Sequence, residues 1–285
     1  MFISILCFLT SFVISNSVYA LTTVRTLPIS STANYEWYKQ NMTNSGEAEI
    51  VNLTGKGGNL ENNAPLPIGA VKLTTKNDNN DRANVGMNTN FEFNDNFIKD
   101  FNISYSFYKE ADSHSDYDEY AAPALKLQIY DEDYVGDNYG SLIWEPYWQG
   151  KSGPVKPTTG EWSITGEIKQ NTGWGKDSYG GWWTSGIYKT DNGAGGPPIR
   201  SLNEWYDMWS SEKINPKVVS IQLGIGSYNK LQNDYFDNVA MYLSDGSTTL
   251  DETYNFEPVP EPTTMLLFAT GLLGLVGLGR KKYFN

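Results

Sequence analysis

Apolar and polar residues alternate with a period of two along several short stretches of this chain. Phe101-Asn102-Ile103-Ser104-Tyr105-Ser106-Phe107 places its apolar side chains on one side of an extended backbone, and Leu125-Lys126-Leu127-Gln128-Ile129-Tyr130 repeats the pattern. That period marks a half-buried strand. Short runs of β-forming residues, these two among them, predict strands over Ala48–Leu53, Ala70–Thr75, Asn84–Met87, Phe101–Tyr108, Leu125–Tyr130, Ile143–Trp148, Val218–Gly224 and Asp237–Leu243. Clusters of Gly, Asn and Asp separate them as turns, at 55–63, 76–81, 131–140, 151–160 and 191–198. One helix is predicted over Ser201–Ser211, where Ser201 as N-cap and Glu204 three residues on form a capping box. Many short strands and a single helix predict an all-β, two-sheet sandwich rather than alternating strand–helix units.

The two ends break this pattern. Met1 to Val13 is mostly apolar, and Val18-Tyr19-Ala20 has the small-residue form of an export cleavage site, so residues 1–20 are expected to be a signal peptide. No Lys or Arg precedes the apolar run, unlike the usual pattern. At the other end Thr263 to Gly279 holds no charge, a run of about 17 residues, at the short end for a membrane-spanning helix. Arg280, Lys281 and Lys282 follow it and favour a cytoplasmic C-terminus. The expected organisation is a signal peptide at 1–20, one β-sandwich ectodomain at 21–258 and a C-terminal sorting segment at 259–283.

Charge narrows the partners. Twenty-one Lys and Arg stand against 33 Asp and Glu, a net charge of −12. That balance argues against nucleic acid, which needs a basic footprint, and makes a neutral glycan or a cation the more natural partner. The one cysteine, Cys7, leaves with the signal peptide, so the ectodomain has no disulfide and no thiolate. His114 is the lone histidine, which argues against a Ser-His-Asp triad or a multi-histidine metal site.

Aromatic residues are 14% of the chain, with 9 Trp and 19 Tyr, more than a core of this size calls for. Trp144, Trp148, Trp174, Trp182 and Trp183 are candidates for stacking on sugar rings, several of them beside glycines. The competing reading places them in the core. In a strand, Trp182 and Trp183 cannot both face inward, because successive side chains alternate. The acidic loop Asp131, Asp133, Asp137 offers oxygens to a structural calcium, although it lacks EF-hand spacing, and a solvated loop explains it equally. Glu145 and Glu161, each beside a Trp, would serve glycoside hydrolysis only if folding brings them together.

Pro260-Glu261-Pro262, the apolar run and Arg280-Lys281-Lys282, in that order, resemble the PEP-CTERM family of exported bacterial proteins. That resemblance implies recognition by an exosortase, a membrane transpeptidase-like enzyme. The body resembles the jelly-roll β-sandwiches of carbohydrate-binding modules, at 48–53 with 69–75, at 101–130 and at Tyr235-Phe236-Asp237-Asn238-Val239; the insert at 151–211 falls outside the likeness. This second resemblance implies Asp237 as a ligand of a structural calcium, with Glu49 as partner. The expectation is a non-catalytic surface or matrix protein whose body binds neutral exopolysaccharide. The alternatives are a purely structural matrix component and, last, a polysaccharide-degrading enzyme.

Overall fold

The computed structural model of the chain describes residues 20–110, 120–136, 138–172, 180–187, 199–212 and 214–260. Residues 1–19, which are all but the last of the expected signal peptide, the apolar run and the basic stop lie outside them. No helix among the described residues is long and apolar enough to cross a membrane.

In chain order the elements are β1 (Ala20–Val24), β2 (Trp37–Thr43), β3 (Glu47–Asn52), α1 (Gly58–Asn62), β4 (Gly69–Thr74), β5 (Arg82–Glu92), α2 (Asp95–Asp100) and β6 (Asn102–Lys109). There follow β7 (Ala124–Tyr130), β8 (Asn138–Trp144), β9 (Trp162–Ile164), β10 (Ile168–Lys169), β11 (Trp183–Ile187), α3 (Leu202–Ser211), β12 (Lys217–Ile225), β13 (Asn233–Ser244) and β14 (Thr249–Phe256). Every strand expected from the sequence is present, at least in part. The stretch expected as Asn84–Met87 is the middle of the much longer β5, and the one expected over Ile143–Trp148 ends at Trp144, where Pro146 opens a 3-10 turn.

The strands form two sheets. One runs β1-β14-β13-β4-β3, with β6 on the other side of β13 and β9 and β10 beyond β6. The other runs β11-β8-β7-β12-β5-β2, antiparallel throughout. The chain winds between them, passing from β2 to the β3–β4 pair, back to β5, across to β6 and back to β7, in the manner of a jelly-roll sandwich. Inward residues of both sheets, among them Leu73, Phe236, Val239, Val85, Leu127 and Leu223, are fully buried between them.

The insert at 151–211 is woven into both sheets. It supplies β9 and β10 to the edge of the first, β11 to the edge of the second, and α3. The helix starts as its capping box predicts: Ser201 Oγ accepts from Glu204 N–H at 3.2 Å and Glu204 Oε2 accepts from Ser201 N–H at 2.9 Å. Its apolar face buries Leu202, Trp205 and Trp209. Trp209 meets Phe93 at 5.5 Å between ring centres, and Phe97 and Phe101 continue the contact to Trp182. Trp205 closes the chain by donating its indole N–H to Trp182 O at 2.9 Å.

One irregularity holds the first sheet together. Along the side away from β6, β13 pairs with β4 through Phe236 and with β14 from Val239 onward. At the junction the strand bulges, with Asn238 at φ 52°. Asp237 fills the gap: its Oδ1 accepts from Phe256 N–H at 3.0 Å. Burial pushes its carboxyl up to about 7, against the backbone N–H groups of Phe256 and Asn238, which favour the charged form. A carboxyl whose native value is raised contributes stability at acid pH that is lost as pH climbs through that value. Asp237→Asn should therefore flatten the fall in stability between about pH 4 and pH 7. The difference between the two proteins should change by at most ~1.4 kcal/mol per pH unit. Denaturant titration at several pH values reads it, and parallel pH profiles would contradict this account of Asp237.

Candidate binding cleft

The second sheet turns an unusual face away from the core. Its strand register builds two continuous rows across it. One runs Trp183, Ile143, Lys126, Gln222, Gly86 and Tyr38, and the next runs Ser185, Ser141, Gln128, Ser220 and Asn88. These are the polar positions of the alternating pattern, which ordinarily meet water. Here Gln40, Asn84, Lys126, Gln128, Ser220 and Gln222 are all buried. They shield one another by lying flat and hydrogen-bonding sideways. Gln40 Oε1 accepts from Gln222 Nε2 at 2.7 Å and from Ser220 Oγ at 2.6 Å. Gln128 Oε1 accepts from Ser141 Oγ at 3.0 Å, and Lys126 Nζ donates to Asn84 Oδ1 at 2.5 Å. Glycine makes the arrangement fit. A Cβ on Gly224 would lie 2.3 Å from Asn84 Oδ1, and one on Gly86 would lie 2.7 Å from Gln222 Cγ.

A cleft of about 430 Å³ opens over one end of this face, within the size range of small-ligand sites. Ala122, Ala124 and Gly226 keep it deep, and Arg82, Lys126 and Gln128 line it with polar groups. One wall is aromatic. Tyr147 lies 4.9 Å from Tyr120 and 4.6 Å from Trp148 between ring centres, and Trp183 stands beside them. The opposite wall is the loop after β12, where Tyr228, 64% exposed, is held at φ 66° by N–H donation to Asn79 O at 2.7 Å. A non-glycine residue in that conformation costs of order 1–3 kcal/mol, and such strain gathers at binding sites.

Two charged groups deep in the cleft are perturbed. Burial pushes the Lys126 amine down to about 8, partly opposed by Glu145, with Arg82 pushing the same way as burial. Burial also raises the Glu145 carboxyl, against the Trp183 indole N–H that it accepts at 3.1 Å and the Lys126 charge.

The structure separates the five candidate tryptophans. Trp148 and Trp183 line the cleft. Trp144 and Trp182 do not: they are 4% and 0% exposed, inside the main core, which corrects the expectation that they stack on a sugar. Trp174 lies outside the described residues. The calcium expectation is corrected in its partner. Glu49 sits on β3 opposite Lys72 and acts on Tyr235, whereas the carboxylate felt by Asp237 is Glu257. Asp131 Oδ1 is engaged in a turn to Asp133 N–H at 3.0 Å, and Asp137 lies outside the described residues. Among the described residues no three acidic, histidine or cysteine side chains gather closely enough to hold a metal ion. The Glu145–Glu161 pair does not form: Glu145 follows β8 in the second sheet, while exposed Glu161 precedes β9 at the edge of the first. Arg82, Lys126, Tyr120 and Tyr228 belong to the cleft and went unmarked by their sequence context. Lys126 stood only as a polar position of an alternating strand, a place that ordinarily meets water.

Comparison with known proteins adds the address. Residues 258–281 match the PEP-CTERM protein-sorting motif. The motif marks an exported protein, processed by an exosortase and sorted to the cell envelope or surface. Among solved structures, the chain is similar to a family 11 carbohydrate-binding module from Clostridium thermocellum in complex with a β-1,3-1,4-mixed-linked tetrasaccharide. The identity is 10%, over 75% of this chain and 92% of that one, with a TM-score of 0.35. It is also similar to the xyloglucanase domain of NopAA from Sinorhizobium fredii, at 15% identity over 75% of this chain and 100% of that one, with a TM-score of 0.34. These are likenesses of outline, and the reading of the cleft rests on its own side chains. No curated protein matches the chain.

The split among the tryptophans is measurable. Trp182→Ala should cost about 3–5 kcal/mol of unfolding free energy, as a large side chain lost from a packed core. Trp148→Ala, at the half-buried cleft wall, should cost about 1 kcal/mol. Urea titration monitored by circular dichroism compares them, and equal losses would contradict the placement of the two rings.

Proposed function

We propose that this exported protein is a non-catalytic surface or matrix component whose body binds a glycan in the cleft of the second sheet. The observation that carries the reading is the pairing of an aromatic wall with a pre-ordered polar floor. Pyranose rings present C–H faces that pack on flat aromatic faces, while their equatorial hydroxyls need donors and acceptors at the edge. Tyr147, Trp148 and Tyr228 supply the first and Gln128, Ser141 and Lys126 the second. The floor is already hydrogen-bonded before any ligand arrives, so little side-chain freedom remains to be lost on binding. Among the described residues Glu145 is the one carboxylate that lines the cleft, and it is bound to an indole N–H; glycoside hydrolysis ordinarily takes a facing pair. On this reading the domain limits are 1–20, 21–258 and 259–283. Export places the cleft where exopolysaccharide is found.

Two experiments follow. A glycan array probed with the purified full-length chain should give saturable binding that Trp148→Ala or Tyr147→Ala weakens by about 10-fold or more while the fold is retained, since ring–sugar stacking is expected to contribute on the order of 1–2 kcal/mol. An array with no binder, for a cooperatively folded protein, would return the chain to a purely structural role. Replacing Pro260, Glu261 and Pro262 with Ala in the producing cell should leave unprocessed chain in the membrane fraction. Unchanged release of the variant would remove the exosortase from the account.

A further inference from the structure

Taking the cleft as a glycan site, we infer that it selects a saccharide carrying carboxylates, a uronic acid polymer, with Arg82 and Lys126 as the anion-recognising pair. The chain as a whole is at −12, which alone predicts a neutral ligand. The cleft departs from that balance. Among the described residues its charged lining is Arg82, Lys126 and Glu145, two cations against one carboxylate.

The arrangement is polarised across the sheet. Arg82 opens β5, Lys126 lies on β7 and Glu145 follows β8, and the sheet order is β8-β7-β12-β5. Arg82 and Glu145 are thus three strand spacings apart, about 14 Å at the usual separation of neighbouring strands. The two form no ion pair among the described residues. Glu145 is engaged locally by the Trp183 indole N–H at 3.1 Å. The Arg82 guanidinium has no hydrogen-bond or ion-pair partner among the described residues, although it is half-buried at the cleft. Lys126 Nζ donates to one side-chain acceptor, Asn84 Oδ1, and the ammonium has three donors. Burial without a full set of partners disfavours its charge, which agrees with its lowered value. A carboxylate between these two side chains would accept two parallel bonds from the planar guanidinium and one from the ammonium, the geometry for which Arg is suited. At the far side Glu145 would accept from a hydroxyl of the neighbouring sugar, whose own carboxylate must point out of the cleft. The cleft thus fits the carboxylate of an acidic sugar at one end and the ring face of the next sugar against the aromatic wall at the other.

The test is calorimetric titration of the purified full-length chain with an oligogalacturonate and with a neutral cello-oligosaccharide of equal length. The acidic ligand should bind about 10-fold or more tightly, the usual scale of one charge-assisted bidentate contact. Its advantage should shrink as salt rises from about 50 to 500 mM. Arg82→Gln should bring the acidic ligand down to the level of the neutral one, and a carboxyl-reduced oligogalacturonate should lose the preference with the wild-type protein. A neutral ligand that binds as well as or better than the acidic one overturns the inference and leaves the glycan reading standing. Equal gain from a sulfated oligosaccharide would also overturn it, as evidence of charge attraction without recognition of a carboxylate. Failure of every saccharide to bind removes both.

Discussion

The cleft depends on the aromatic contact that seats the insert. Trp182 lies between Phe101 of the main sandwich and Trp205 of α3, and its carbonyl accepts the Trp205 indole N–H. The next residue, Trp183, points the other way by strand alternation and becomes part of the cleft wall. One adjacent pair therefore joins the core to the binding face. The inward ring fixes β11 and α3, and the outward ring takes its position, and with it the orientation of Glu145, from that anchor. A large, rigid ring with few rotatable bonds suits both tasks, since little side-chain entropy is lost in holding it.

A binding face made of buried polar residues costs stability unless every group finds a partner. The second sheet meets that condition in rows: Gln40 serves Ser220 and Gln222, Gln128 serves Ser141, and Asn84 serves Lys126. Gln222 Oε1 is an exception, buried without a donor among the described residues. The two glycines that let these side chains lie flat, Gly86 and Gly224, sit on neighbouring strands, so the flatness of the floor is a property of the backbone as well as of the amides. Such a surface is ordered without a ligand, and the selectivity we propose for it follows from the Arg82 guanidinium left unpaired among the described residues at its end.

Much of this was legible in the sequence. Runs of β-forming residues located eight strands between Ala48 and Leu243 but not β9, β10 or β11 of the insert, and Ser201 with Glu204 located α3. Strands with weaker alternation escaped. β2 interleaves Trp37 with Tyr38, Lys39 and Gln40, and β14 runs three buried residues together at Tyr254, Asn255 and Phe256. The cleft was half legible. Adjacent tryptophans at 182 and 183 required one outward ring, but which one depends on the bridge between Trp182 and Arg200, a contact set by the insert. Burial of Trp144 follows from pairing with Leu125 in the strand register, another long-range fact. Arg82 and Lys126 meet because β5 and β7 flank β12, and no local pattern encodes that adjacency.

The same reasoning explains how the body hands the chain to its sorting signal. β14 ends at Phe256, where four separate contacts converge. Asp237 takes the Phe256 N–H, Glu257 N–H donates to Val24 O at 3.0 Å, Glu257 pairs with Arg25 at 3.2 Å, and Gly69 lies so close that a Cβ there would meet Phe256 O at 2.2 Å and Pro258 Cδ at 2.7 Å. The matched motif begins at residue 258, so it follows the last strand with almost no intervening chain. β1, which begins at Ala20, lies parallel to this strand and supplies two of the four contacts through Val24 and Arg25. Cleavage after Ala20, the cut expected from the sequence, would make this segment the N-terminus as well as the clamp beside the sorting motif. Order at the exit from the sandwich depends on the two ends of the ectodomain being paired, because without β1 the first sheet would leave the outer edge of β14 unpaired.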